Sequence, residues 1–108
     1  MARETNFATV STTSSATATL VSASLVALSG TCYQIVGFDG SSSDQPFAVA
    51  LKFGSVTRFT MQGSADTTVG RDFGDSGPVA PASTAVTVEV TPAASGTCNT
   101  NLICRIVF

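Results

Sequence analysis

The chain has 108 residues, which is enough for one domain with a modest core. Ser, Thr and Ala contribute 14, 16 and 14 residues, whereas only five residues are Lys or Arg and seven are Asp or Glu. A net charge of -2, with one Lys and four scattered Arg, excludes the clustered basic surface that nucleic-acid binding requires, so we expect no nucleic-acid partner.

The N-terminal residues 1–15 are polar, and we expect them to form an arm or an edge strand that contacts a neighbouring protein. The candidate contact residues of this arm are Arg3, Glu4 and Phe7. The mostly apolar segment 16–28 that follows is too short and too rich in Ser and Thr to cross a bilayer, so no membrane partner is expected. It could pass as the core of a signal peptide, but Glu4 and the polar STTSS in front of it argue against export.

Apolar and polar residues alternate with a period of two along the rest of the chain, and no helical periodicity is found. The alternating segments are FAVALKF (47–53), AVTVEV (85–90), LICRIVF (102–108), TRFTM (57–61) and YQIVGF (33–38), the last with a bulge or close backbone approach expected at Gly37. Between them lie segments rich in Gly, Pro, Asp and Ser, which we interpret as turns: 39–46, 62–81 and 91–101. This pattern predicts an all-β, single-domain antiparallel sandwich over residues 16–108, with about seven or eight short strands.

The stretch RDFGDSGPV at 71–79 contains two strings that occur in enzymes. GDSGP is the nucleophile segment of chymotrypsin-like proteases, whose serine needs a histidine base, and the chain has no histidine. DFG binds magnesium in protein kinases, but the glycine-rich phosphate loop and the paired Lys and Glu are missing. We therefore expect no enzyme activity, and interpret the stretch as a contact loop that presents Arg71, Asp72 and Asp75.

Neither the carboxylates nor the thiols form a recognisable metal site. The loop DGSSSD offers two carboxylates, Asp39 and Asp44, where a calcium loop would offer three or more, so no cofactor is expected. Cys32, Cys98 and Cys104 match no zinc spacing. Two alternatives remain for them: a disulfide between Cys98 and Cys104 if the residues between them loop back, or buried thiols in a reducing cytoplasm.

The segments follow one another in the order FATVSTTSSATATLVSAS, YQIVGF, FAVALKFGS, a glycine-rich loop, PVAP, AVTVEV and a terminal hydrophobic strand. This order resembles a family of small bacteriophage virion proteins, those of the capsid decoration (cement) and head or tail fibre type. The sequence departs from the family where a GK turn and a basic strand are usual, since SGTCYQ stands in that place.

The resemblance implies a jelly-roll β-sandwich that acts as a decoration protein. In that role it would form a homotrimer on the outer capsid surface, bind the major capsid protein at junctions between capsomers, and join the virion in the host cytoplasm. Two other functions fit the same sandwich. A tail or head fibre module would present loops 39–46 and 63–82 to a host glycan or protein, and a secreted bacterial adhesin or pilus-like subunit would use oxidised cysteines.

Overall fold

The structure of the protein, a computed structural model, describes residues 9–27 and 29–107. Eight β-strands form in this part of the chain, and no helix long and apolar enough to cross a membrane is present there. The strands are β1 (Thr9–Ala18), β2 (Val21–Leu25), β3 (Cys32–Ser42), β4 (Phe47–Phe53), β5 (Val56–Gly63), β6 (Thr67–Asp72), β7 (Val86–Pro92) and β8 (Gly96–Val107).

The strands form two four-stranded sheets, and every pairing is antiparallel. Sheet I has the order β1-β8-β3-β6 and sheet II the order β2-β7-β4-β5. The chain crosses from one sheet to the other at every connection except the β4–β5 hairpin. With these two strand orders the domain is a jelly roll, the double-sheet sandwich built from two Greek keys. The predicted all-β jelly-roll sandwich and its strand number are confirmed.

The core lies between the two sheets and is filled by the residues that alternation assigned to it. In sheet II the valines of β7 and the apolar residues of β4 are buried, and each second residue faces outward. In sheet I the buried residues come from β3 and β8, with Ile35 and Leu102 among the largest. The register between β3 and β8 shifts between Ile35 and Gly37, so the bulge expected at this glycine is present.

Three segments interpreted as turns contain regular strand. β6 lies inside 62–81, β8 begins at Gly96, and β3 continues through Asp39 to Ser42. These strand regions have few apolar side chains, because the residues that face inward there are mostly small or carry hydroxyl groups. Pairing with neighbouring strands therefore determines their conformation, since their own sequences carry little alternation.

The motif GDSGPV lies in the longest connection, residues 73–85, and part of it pairs with β3. Ile35 N donates to Pro78 O at 2.9 Å, and Ala80 N donates to Tyr33 O at 2.8 Å. A Cβ atom on Gly77 would lie 1.7 Å from Ile35 O, so only glycine fits this close approach. Residues 78–80 therefore continue the pairing with β3 beyond the end of β6.

Candidate interaction surfaces

The outer face of sheet I, which we call the sheet I face, is lined mainly by hydroxyl and amide side chains. Thr17 and Thr97 approach to 3.0 Å through their hydroxyl oxygens, and Ser15 Oγ donates to Asn99 Oδ1. The register places further polar residues on this face: Ser11, Thr13, Asp39, Ser41, Thr68 and Asn101. Such short side chains lose little conformational entropy when another surface covers them.

A groove crosses the sheet I face where two glycines meet in neighbouring strands. Gly37 of β3 and Gly70 of β6 carry no side chain, and the resulting depression has a volume of about 490 Å³. Asp39, Asp72 and Asn101 line it with oxygen atoms. Asn101 Nδ2 donates to Asp39 Oδ1 at 2.7 Å, which holds both side chains in place. We call this feature the glycine groove.

The outer face of sheet II, which we call the sheet II face, has alanines at its centre and contains one ion pair. Ala48 and Ala50 lie at its centre on β4, and Ser24 and Thr87 share a hydrogen bond of 2.7 Å on neighbouring strands. Lys52 Nζ lies 3.6 Å from Glu89 Oε2, so these two charges largely neutralise each other. The centre of this face is therefore nearly neutral.

Of the three residues predicted to form a contact loop, Arg71 packs against two aromatic rings. The Arg71 guanidinium carbon lies 5.7 Å from the ring centre of Phe59 and 5.9 Å from that of Phe73. The two rings are themselves 5.5 Å apart. Arg71 therefore covers aromatic side chains on the side of the sandwich between β5 and β6, a cation–π arrangement that stabilises the fold.

Asp72 and Asp75 each make a different contact within the chain. Asp72 lines the glycine groove and accepts a hydrogen bond from Gly74 N at 3.1 Å. Asp75 Oδ1 lies 2.9 Å from Arg105 Nη2, which ties the 73–85 connection to β8. Of the predicted contact residues that the structure describes, Arg71 and Asp72 line the glycine groove and Asp75 does not. Arg3, Glu4 and Phe7 lie outside the described residues.

Cys98 and Cys104 are not joined by a disulfide, which corrects one of the two alternatives. Both are free thiols, buried on the core-facing side of β8. Since the strand between them is extended, their Cα atoms lie about 20 Å apart at about 3.3 Å per residue, whereas a disulfide needs about 4.4–6.8 Å. Burial raises the pKa of the Cys104 thiol to about 12. Cys32 is also free and half-buried.

Both carboxylates of DGSSSD bind protein groups. Asp44 Oδ1 accepts a hydrogen bond from Thr97 N at 3.0 Å and another from Ser42 Oγ at 3.2 Å, so it fixes the turn between β3 and β4 against β8. Asp39 bonds to Asn101, as described above. Among residues 9–27 and 29–107, no group of three or more Asp, Glu, His or Cys side chains could hold a metal ion.

Sequence reasoning missed the glycine groove. Its residues come from β3, β6 and β8, and only the strand register brings Asp39, Gly70 and Asn101 into one row. The alternation of Asn99 and Asn101 with the core-facing Cys98 and Leu102 was the one available signal. It would have extended the terminal strand toward the N-terminus and placed both amides on an outer face.

The fold and these surfaces define a jelly-roll β-sandwich domain. No protein-family model matches the chain, and no curated protein matches it.

Among solved structures, the chain is similar to a carbohydrate-binding module, CBM36, in complex with calcium and xylotriose. The identity is 15%, the TM-score is 0.40, and the match covers 82% of this chain and 72% of that one. It is also similar to the CBM36-1 domain of a multidomain xylanase from the hindgut metagenome of Trinervitermes trinervoides, with 21% identity, a TM-score of 0.40 and coverage of 86% and 73%. A third similar structure is the virus-like particle of extra small virus from the prawn Macrobrachium rosenbergii, with 9% identity, a TM-score of 0.42 and coverage of 98% and 82%.

Proposed function

We propose that the chain is a structural virion protein that decorates the outer surface of a phage capsid and stabilises the junctions between capsomers. The observation that carries this proposal is the shortness of the connections between strands. Apart from residues 73–85, no connection within the described chain exceeds six residues, and the 73–85 segment is partly bound to β3. Binding residues are often carried on loops, and connections this short offer few positions for them. The extended surfaces of this molecule are its two sheet faces.

Both faces suit docking against a large protein surface. The central residues of the sheet II face, Ala48 and Ala50, allow a partner to approach the backbone closely. Its one ion pair joins Lys52 to Glu89 within the sheet, so docking would not leave a lone charge unpaired. Short side chains keep the entropy cost of association low. Repeated around a shell, modest contacts of this kind would resist internal pressure.

The test adds the purified protein to capsids of the encoding virus that lack it. We expect saturable binding at a fixed stoichiometry and a raised capsid melting temperature. Two matched variants identify the docking face: Ala50→Arg places a long cation on the sheet II face, and Asn99→Arg places one on the sheet I face. One of them should abolish binding and the other retain it. Absence of binding by the wild-type protein, or full binding by both variants, would contradict the proposal.

A second candidate function, a fibre or receptor-binding module, is favoured by the glycine groove. Carboxylate and amide oxygens of Asp39, Asp72 and Asn101 are hydrogen-bond acceptors, and the exposed side chain of Ile103 supplies an apolar wall. This combination suits a saccharide, whose hydroxyl groups donate and whose ring has an apolar face. Binding of labelled protein to host cells, lost in Asp72→Ala, together with no binding to capsids, would select this function over decoration.

A further inference from the structure

We propose that two copies of the chain associate through the free edge of β1, pairing antiparallel across a two-fold axis to join their sheets I into one eight-stranded sheet. This inference concerns self-association and does not rest on the proposed capsid role; it proposes a two-fold dimer in place of the homotrimer that the sequence resemblance implies. The first observation is that β1 lies at the edge of sheet I, where among the described residues it pairs only with β8. Backbone N–H and C=O groups on its other side are therefore available to a further strand.

The other three sheet edges carry features that oppose strand addition. β2 has only five residues. β5 is interrupted by a register shift at Arg58, and β6 ends in Arg71 and Asp72. Short length, bulges and charged residues are the devices by which proteins protect sheet edges. β1 has none of them: its ten residues TVSTTSSATA contain no charge, proline or glycine, and its register with β8 is continuous.

The structure also indicates which residues of β1 direct their backbone groups outward. Thr100 Oγ1 donates to Ser14 O at 3.3 Å, so the Ser14 carbonyl points toward β8. Carbonyl direction alternates along a strand of an antiparallel pair, so Thr13 and Ser15 direct theirs toward the free edge. With Thr9, Ser11 and Thr17, they form a set of outward-directed residues.

The sequence of β1 is complementary to itself in this arrangement. A two-fold axis beside Thr13 places Ser11 of one copy opposite Ser15 of the other on the outer face, and hydroxyl pairs of this kind are favourable across strands. On the inner face it places the half-buried Val10 opposite Ala16, which is exposed in the single chain although it faces the same side as the core. No like charges meet, and about ten backbone hydrogen bonds form. These features favour a second copy over an unrelated strand as the occupant.

The test is sedimentation of the full chain at about 100 µM, well above a micromolar dissociation constant. We expect a dimer for the wild-type protein. Thr13→Pro removes an outward N–H and should weaken the dimer by about tenfold or more while the fold remains, since proline is tolerated where the N–H of an edge strand faces solvent. Ser14→Pro is the matched control, because it removes an N–H directed at β8 and should lower the melting temperature instead.

A charge exchange tests the register independently of proline. The triple variant Ser11→Lys, Thr13→Lys and Ser15→Lys opposes three pairs of like charges and should dissociate, as should the triple variant with Glu at the same positions. An equimolar mixture of the two should restore a dimer. Thr68→Lys adds a charge to the other edge strand of sheet I, β6, and this variant should form a dimer as stable as that of the wild type. A monomeric wild-type protein, a trimer, or a dimer that persists in Thr13→Pro and in both triple variants would overturn the proposal.

Discussion

At the scale of single residues, the second glycine of the protease-like motif GDSGP, Gly77, is required by its close approach to the backbone of β3. Gly77→Ala would bring a Cβ atom against Ile35 O and strain the two hydrogen bonds that join residues 78 and 80 to β3. We expect the free energy of unfolding to fall by about 3–5 kcal/mol, from overpacking of about 1–3 kcal/mol and two weakened hydrogen bonds of about 1 kcal/mol each.

Gly74→Ala is the matched control for Gly77→Ala. Gly74 has a φ of 58° but open space around its Cα, so alanine should cost only about 1–2 kcal/mol of backbone strain. Urea unfolding of both variants measures the difference. Equal losses of stability in the two variants would contradict the steric explanation.

Also at the residue scale, the raised pKa of the Cys104 thiol leads us to expect a loss of stability at alkaline pH. Its pKa rises from 9.0 to about 12 in the folded protein because burial disfavours the thiolate. Burial also raises the pKa of Tyr33, and the neighbouring Cys104 adds to that shift. Above pH 9 the Cys104 thiol loses its proton in the unfolded chain but keeps it in the folded chain. The contribution of this thiol to the free energy of unfolding is therefore complete below pH 9 and is lost as pH rises toward 12.

The free energy of unfolding should fall by no more than about 1.4 kcal/mol per pH unit because of this one thiol. Urea unfolding at pH 7, 9 and 10.5 measures it, and Cys104→Ala serves as the control because it lacks the titrating group. The difference in stability between wild type and Cys104→Ala should narrow above pH 9. A constant difference across this range would show that the thiol does not contribute.

At the scale of the elements, the side of the sandwich between β5 and β6 depends on Arg71. Arg71→Ala should lower the free energy of unfolding by about 1–2 kcal/mol, because two cation–π contacts of about 0.5–1 kcal/mol each are lost. Arg58, 5.3 Å from the Phe53 ring centre, contacts one ring, so Arg58→Ala should cost about half as much. Chemical denaturation of both variants provides the measurement. Unchanged stability of Arg71→Ala would return this residue to the role of a surface contact.

The strands that sequence could predict are those whose inward residues are large and apolar. In β4 and β7 every second residue is Val, Leu, Phe or Pro, and the alternation follows directly from burial of one face. β6 has only Val69 as an apolar inward residue, and the start of β8 turns Gly96, Cys98 and Thr100 inward. Local sequence carries little signal there, so only pairing with β3 and β1 makes these segments strands.

The candidate surfaces were less predictable than the fold for the same reason. The glycine groove joins residues of three strands, with Asp39 and Asn101 separated by 62 positions, and its shape depends on a register that no local pattern specifies. Arg71 was identified as a scarce charge, but whether it faces a partner or an aromatic pair depends on which side of β6 is turned inward. The free edge of β1 could be seen in part, because a ten-residue stretch without charge, proline or glycine is visible in the sequence.

At the scale of the whole molecule, the low charge predicts that self-association is insensitive to salt. The proposed β1 interface contains no charged residue, and the protein carries a net charge of only -2. Raising NaCl from about 50 mM to about 500 mM shortens the screening length from about 14 Å to about 4 Å. The wild-type dissociation constant should therefore change by less than about threefold, because hydrogen bonds and apolar contacts do not depend on ion pairing.

The dimer formed by mixing the triple Lys and triple Glu variants should, in contrast, be sensitive to salt. Its dimer depends on three pairs of opposite charge at each interface, so the same rise in salt should weaken it by about tenfold or more. Sedimentation at both salt concentrations compares the two directly. If the wild-type dimer weakened as much as the charged mixture, the association would involve charged residues outside β1, and the edge of β1 would not be the interface.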